Sequence, residues 1–252
     1  MLVVFFGLSI GSFLNVVVYR TRARQSLSGR SQCPTCKSQL KWYELIPLAS
    51  FLFLKRRCAT CRANISWQYP LVEVGVALAF LSLAWRYALP ITGFSVALSR
   101  DWLIAAILAQ IFVYDLLYGE ILNGPTLYAG FFLFFLSFFF GWQTLMAMLL
   151  GVAVGAGFFL FQYLISRGRW IGGGDVRLGV FMGVVLGWPR VLVAIFLAYV
   201  SGAIINIGFL AWRRRQFSDE TPFGTYLAAA TFFTMFFGDK IIGWYLGLFA
   251  VL

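Results

Sequence analysis

The chain contains no histidine. That absence removes Ser-His-Asp triads, Cys-His pairs and His-ligated catalytic metals together, because each needs an imidazole. Charge is also scarce, at 12% of 252 residues, about half of what a water-soluble domain carries. The lysines are Lys37, Lys41, Lys55 and Lys240, and none lies inside an apolar run, so a Ser-Lys hydrolase has no membrane-buried amine to use. No internal repeat is visible, which removes the usual signature of an inverted-repeat transporter. Carboxylates and cysteines are the chemistry that remains, and both are few: nine acids and four cysteines.

What the chain has is apolar length. Hydrophobic residues make up 61% of it, and the mean hydropathy is +0.85. A spanning helix needs roughly 20 mostly apolar residues. Spans are expected at Leu2–Val18, Leu71–Leu89, Trp102–Leu117, Gly124–Phe140, Leu145–Ile165, Val176–Leu186, Val191–Trp212 and Phe223–Phe237. A last stretch, Ile241–Leu252, is too short to cross alone and is expected at the interface. The net charge of +11 is concentrated between these runs. Ten basic residues lie between Arg20 and Arg62, and others cluster at Arg167, Arg169 and Arg177 and at Arg213, Arg214 and Arg215. Cytoplasmic loops collect Lys and Arg in this way. Only Arg86, Arg100, Arg190 and Lys240 then fall outside, where Trp85, Trp102, Trp142 and Trp188 mark the outer edge. Such basic loops favour anionic lipid, and no nucleic-acid-reading module accompanies them. The first span has arginines after it and no basic segment before it, so it is expected to be a retained helix and not a cleaved signal.

The expected fold is therefore all-α: a polytopic membrane protein of about eight transmembrane helices with a small zinc-binding cytoplasmic loop. Three parts follow: a first transmembrane helix at 1–19, the loop domain at 20–69 and a helix bundle at 70–252. The loop carries all four cysteines, as Cys33-Pro34-Thr35-Cys36 and Cys58-Ala59-Thr60-Cys61. Two such knuckles can offer four thiolates to one tetrahedral Zn²⁺. Disulfides or redox-active thiols are the alternative, disfavoured by a reducing cytoplasmic setting. Four thiolates leave no open position, so the zinc is expected to be structural.

Two acids stand out. Asp115 lies near the end of the third apolar run and Asp175 opens the sixth, after Gly172-Gly173-Gly174. A carboxylate in an apolar helix is costly and usually functional, whereas Asp175 alone could be a simple helix cap. Both are expected at one membrane depth. Adjacent like charges there share a proton, one carboxyl activating a water while the other polarises a carbonyl, as in aspartic proteases. Helix ends separate the roles: Asp175 is expected at an N-terminus, which suits the base, and Asp115 near a C-terminus, which suits the acid. A proton-coupled transporter also uses intramembrane carboxylates, but nearer the midplane. A membrane-bound zinc scaffold is a third option.

Several spaced motifs resemble the bacterial type IV prepilin peptidases, GxGD-type membrane aspartic proteases. They are Gly11-Ser12-Phe13-Leu14-Asn15 through Tyr19-Arg20, the two knuckles around Glu44-Leu45-Ile46-Pro47-Leu48, and Tyr69-Pro70-Leu71-Val72-Glu73. Gly172-Gly173-Gly174-Asp175 fits the GxGD element, and Thr221-Pro222-Phe223-Gly224 resembles a late Pro-Phe-Gly motif. The resemblance spans about residues 7 to 237. It implies Asp115 and Asp175 as the catalytic pair, with Gly172, Gly174 and Glu120 shaping the loops beside them. It implies cleavage of the basic leader of type IV prepilins or pseudopilins at the cytoplasmic face of the bacterial inner membrane, usually after a Gly. Many members also N-methylate the new N-terminus with S-adenosylmethionine, a function associated with the cysteine loop. No Rossmann-type glycine turn supports that second activity here. The segment after Asp115 also departs from the pattern, with Glu120 and no proline until Pro125.

Overall fold

The structure is a computed structural model in which residues 1–87, 95–211 and 221–249 are described. Among them the ordered elements are helices: α1 (Leu2–Arg22), a 3₁₀ turn (Trp42–Leu45), α2 (Ala49–Phe53), α3 (Gln68–Arg86), α4 (Val96–Tyr118), α5 (Asn123–Phe139), α6 (Leu145–Ser166), α7 (Gly173–Leu186), α8 (Arg190–Ala211) and α9 (Phe223–Phe249). Five of them, α1, α3, α4, α6 and α8, are long and apolar enough to cross a membrane. This is a multi-pass membrane protein. The expected ends at Leu89 and Trp212, and the cluster Arg213–Arg215, lie outside the described residues. The chain divides into two compact units, residues 1–110 and 111–252, with the border inside α4.

In the first unit α1 packs on α3 through glycine. A Cβ on Gly7 would sit 2.6 Å from Ala77 Cα, and one on Gly11 would sit 2.6 Å from Glu73 Cα. Small residues four apart let two membrane helices approach this closely. Asn15, one turn on, donates to Tyr69 O (3.2 Å) and accepts from Gln68 Nε2 (3.3 Å). Arg20 is buried and gives its guanidinium to five successive carbonyls, from Ser26 to Arg30, at 2.7–3.2 Å. The helix α1 runs past the expected end at Val18 to Arg22, so Arg20 stands in its last turn and holds the segment that follows. Glu73 accepts the Leu48 N–H at 2.8 Å, which ties the segment between the knuckles to α3. Trp102 is 4% exposed. Its ring stacks on Phe80 at 5.2 Å and its Nε1 donates to Phe80 O, so it is a core residue and not an interfacial anchor.

In the second unit α7 is the hub, buried at Leu178 and Gly179 and from Phe181 to Leu186, its 14 residues rising about 21 Å. It lies against α5, α6 and α9. Gly151 and Gly155 of α6 face Gly183 and Gly179 of α7, and a Cβ on any of the four would meet the opposite backbone at 2.5–2.6 Å. The last expected stretch is corrected here. Residues 241–249 are not a separate interfacial segment; they continue α9 without a break. The charges that interrupt the pattern, Asp239 and Lys240, lie on an exposed face, where Asp239 pairs with Arg190 at 2.6 Å.

Candidate active site

Asp115 and Asp175 both fall in the second unit and both are buried, at 4% and 7% exposure. Asp115 stands in the last turn of α4, where its carbonyl accepts the Gly119 N–H. Its Oδ2 accepts the Thr225 N–H at 2.7 Å and the Thr225 hydroxyl at 3.1 Å. The Gly224 N–H is a further donor to the same carboxyl. Those donors are the unpaired N–H groups of the first turn of α9, which Pro222 and Phe223 begin. Asp175 stands in the first turn of α7. Its Oδ2 accepts the Gly172 N–H at 3.0 Å, so it reaches back from the third helical position and is not the cap residue itself. Ile121 joins their surroundings: it packs against the backbone of Gly174, next to Asp175, and of Gly224, where a Cβ would lie 3.1 Å from Asp115 Cγ.

Asp115 therefore faces a helix N-terminus as well as ending one. Helix ends do not distinguish the two carboxyls, since Asp115 takes the Thr225 N–H of the first turn of α9 and Asp175 stands in the first turn of α7 and takes the Gly172 N–H just ahead of it. Tyr199 of α8 donates its hydroxyl to Gln162 Oε1 at 2.9 Å.

Of the loop residues, Gly174 has a steric reason to lack a side chain: a Cβ there would lie 2.9 Å from Ile121 Cβ. Gly172 precedes the helix in extended conformation and supplies the N–H that Asp175 takes. Glu120 is exposed and follows Gly119, whose φ of +64° turns the chain after α4. Glu120→Gln is expected to keep measurable cleavage; complete loss in a peptide assay would bring Glu120 into the reacting set. Thr225 and Ile121 carry no sequence signal of their own. The only hint of Thr225 is its place three residues after Pro222, where a helix start leaves donors unpaired.

In the first unit the four cysteine sulfurs lie within 4.8 Å of one another. The knuckles repeat one geometry. Cys33 N–H donates to Ser38 O and Cys58 N–H to Ala63 O, with Lys37 and Arg62 at φ +58° and +62° and an antiparallel bridge closing each turn. Cys33 and Cys61 sulfurs are 3.9 Å apart, against about 3.8 Å for thiolates held tetrahedrally at 2.3 Å from one zinc. Hydrogen bonds from Ser38 pull the Cys36 thiol down to about 6, whereas desolvation and the neighbouring cysteines push Cys61 up to about 11. These four residues can hold one metal ion. Beside them is a cavity of about 720 Å³ whose lining includes Asn15, Tyr19, Arg20, Glu44 and Glu73.

Comparison with known proteins agrees with this arrangement. Residues 5–87 match the bacterial peptidase A24 N-terminal domain, and residues 102–207 match the type IV leader peptidase family. Proteins named prepilin leader peptidase/N-methyltransferase are similar over nearly the whole chain. The one from Aeromonas hydrophila is 33% identical, covering 97% of this chain and 93% of its own. The chain belongs to the type IV leader peptidase family. The Pseudomonas putida protein of the same name is 31% identical, covering 93% of this chain and 89% of its own. The one from Myxococcus xanthus is 34% identical over 86% of this chain and 67% of its own. No solved structure matches. As a member of that family, this protein is a membrane protease.

Proposed function

We propose that the protein cuts the basic leader from type IV prepilins or pseudopilins by an aspartyl dyad, Asp115 and Asp175. The observation that carries this is a pair of buried carboxyls on separate helices of the second unit, Asp115 accepting the Thr225 N–H at the start of α9 and Asp175 the Gly172 N–H at the start of α7. One carboxylate takes a proton from water as its oxygen attacks the scissile carbonyl carbon. The other, protonated, donates to the carbonyl oxygen. As the tetrahedral carbon collapses, the C–N bond breaks, the carboxyl that took the water proton gives it to the leaving nitrogen, and the other carboxylate takes back a hydroxyl proton as the new carbonyl forms. No metal or cofactor enters those steps. The reading puts the site at the cytoplasmic face of the bacterial inner membrane, and the basic residues within 20–69 and 166–175 support it, since cytoplasmic loops collect Lys and Arg and favour anionic lipid.

We further propose that the protein N-methylates the new N-terminus, as the names of its relatives state of them, with S-adenosylmethionine as methyl donor. The first-unit cavity is of the size that holds such a molecule. The buried polar side chains Asn15 and Glu73 on its wall are what orienting a polar ligand requires. The ion held by Cys33, Cys36, Cys58 and Cys61 is proposed to be a structural Zn²⁺, within a loop domain at 20–69 set between the first helix and the bundle. Purified protein incubated with a prepilin peptide and S-adenosylmethionine is expected to release the leader and leave a product heavier by one methyl group. An intact peptide would end the peptidase proposal; a cut but unmethylated product would end only the second activity. A proton-coupled transporter would leave the peptide intact.

A further inference from the structure

Glu73 is a carboxylate set about one and a half turns into an apolar helix, α3, and it is 6% exposed. A charge in that position is costly and marks function unless its neighbours consume it. On one side α1 presses on its backbone: a Cβ on Gly11 would lie 2.6 Å from Glu73 Cα and 3.0 Å from Val72 O. On the other, Oε2 accepts the Leu48 N–H at 2.8 Å, with Leu48 itself at φ +58° and ψ −48°, a conformation that bulky side chains avoid. The Ser12 hydroxyl is a second donor. Two donors occupy half of the roughly four lone-pair sites of a carboxylate. The rest of the group forms wall of the first-unit cavity of about 720 Å³. The other acid on that wall, Glu44, is only half-buried and accepts its own Lys41 N–H at 2.6 Å, which caps the 3₁₀ turn. Arg20, the buried cation there, has both terminal nitrogens committed to backbone carbonyls. Glu73 is thus the buried charge of the cavity with bonding capacity left for a ligand.

Resting on the methylation reading above, we propose that Glu73 receives the freed N-terminal amine of the cut chain and takes a proton from it before methyl transfer. An α-amine, with an ordinary pKa of about 8, is mostly ammonium at neutral pH, and an ammonium has no lone pair with which to attack. The methyl donor is a sulfonium, so two cations must share one cavity, and a buried carboxylate offsets their repulsion. The step balances. Glu73 takes one proton from the ammonium, the neutral nitrogen attacks the methyl carbon, and the C–S bond breaks with its electron pair left on sulfur as a thioether. The methylated nitrogen keeps two protons and the positive charge, and the proton on Glu73 passes to water.

The test uses the full-length protein and a mature pilin peptide, the product of leader cleavage, with its N-terminal amine either free or acetylated. Without methyl donor, wild type is expected to bind the free-amine peptide about tenfold or more tighter than the acetylated one, read by fluorescence anisotropy of a label at the far end. Glu73→Gln is expected to lose that preference and, with S-adenosylmethionine added, to methylate the peptide about 10²-fold or more slowly. Gln still offers an oxygen to the Leu48 N–H but carries no charge, whereas Asp keeps the charge and is one methylene short of Leu48. A role through charge ranks Glu73→Asp above Glu73→Gln in both measurements; a role confined to holding Leu48 reverses that order and overturns the proposal. Glu73→Gln that keeps the amine preference, or methylates as fast as wild type, overturns it too. So does equal binding of the two peptides by wild type, a measurement that needs no variant to fold. Wild type that binds the amine but methylates no peptide removes the methylation reading and this one with it, whereas the reversed order removes this one alone.

Discussion

Asp115→Asn and Asp175→Asn are each expected to reduce leader cleavage by at least about 10²–10⁴-fold, with the double variant no worse than the more damaging single one. The absence of histidine leaves no imidazole to act as an alternative base, and no lysine lies beside either carboxyl among the described contacts. Each carboxyl has one part in a single proton-transfer cycle. Removing either stops the cycle, and removing the second then costs nothing more. Asn keeps the shape and an acceptor oxygen, so Thr225 N–H and Gly172 N–H retain their partners and the helix starts of α9 and α7 stay formed. Loss of activity should therefore come without loss of helix content or of bound metal. Kinetics on a prepilin peptide, with circular dichroism and metal analysis on the same samples, check this. Two additive decreases would mean that the carboxyls act independently, and near wild-type cleavage by either variant would end its assignment.

Much of the fold is legible because lipid demands long apolar helices. The run Leu145–Ile165 forms a helix over Leu145–Ser166, and Asp115 and Asp175 announce themselves by being acids at the ends of such runs. What periodicity cannot show is what a residue meets across the bundle. Trp102 looks like an interfacial tryptophan until the stack with Phe80 is seen. Asp239 and Lys240 look like the end of a span until Arg190 is found beside them. Thr225 touches a residue 110 positions earlier, and Ile121 is framed by glycines 53 and 103 positions later. No local pattern encodes those pairings, so the acids of the site are visible in the sequence and the residues packed around them are not. Glycine is the exception in part. The Gly-xxx-Gly spacings at 7 and 11, 151 and 155, and 179 and 183 are readable as small faces, and each proves to be where two helix backbones nearly touch.

Replacing Cys33 or Cys58 by Ser, or stripping the metal with a chelator, is expected to unfold the loop at residues 20–69 while sparing the dyad more than either Asn variant does. Between residues 21 and 69 the only buried residues are Cys33, Phe51 and Cys58. Two of the three are proposed metal ligands, so without the ion one phenylalanine is left to organise nearly fifty residues. Structural zinc contributes about 10–16 kcal/mol in small domains of this kind, against about 1.5–3 kcal/mol for burying one large apolar side chain. The metal decides whether the loop is ordered. Arg20 and its five carbonyls pin only residues 26–30, and Glu73 pins only Leu48. Asp115, Asp175 and every described partner of their carboxyls lie in the other unit, between residues 111 and 252. Limited proteolysis should then cut the variants between the knuckles, metal analysis should fall from one zinc per chain to none, and methylation should be lost while some leader cleavage remains. Reduced wild type that carries no zinc, or that forms a Cys33–Cys36 disulfide when freshly purified, would end the structural-zinc proposal. Cleavage lost as completely as in Asp115→Asn would show that the dyad depends on the loop for more than its neighbourhood in the chain.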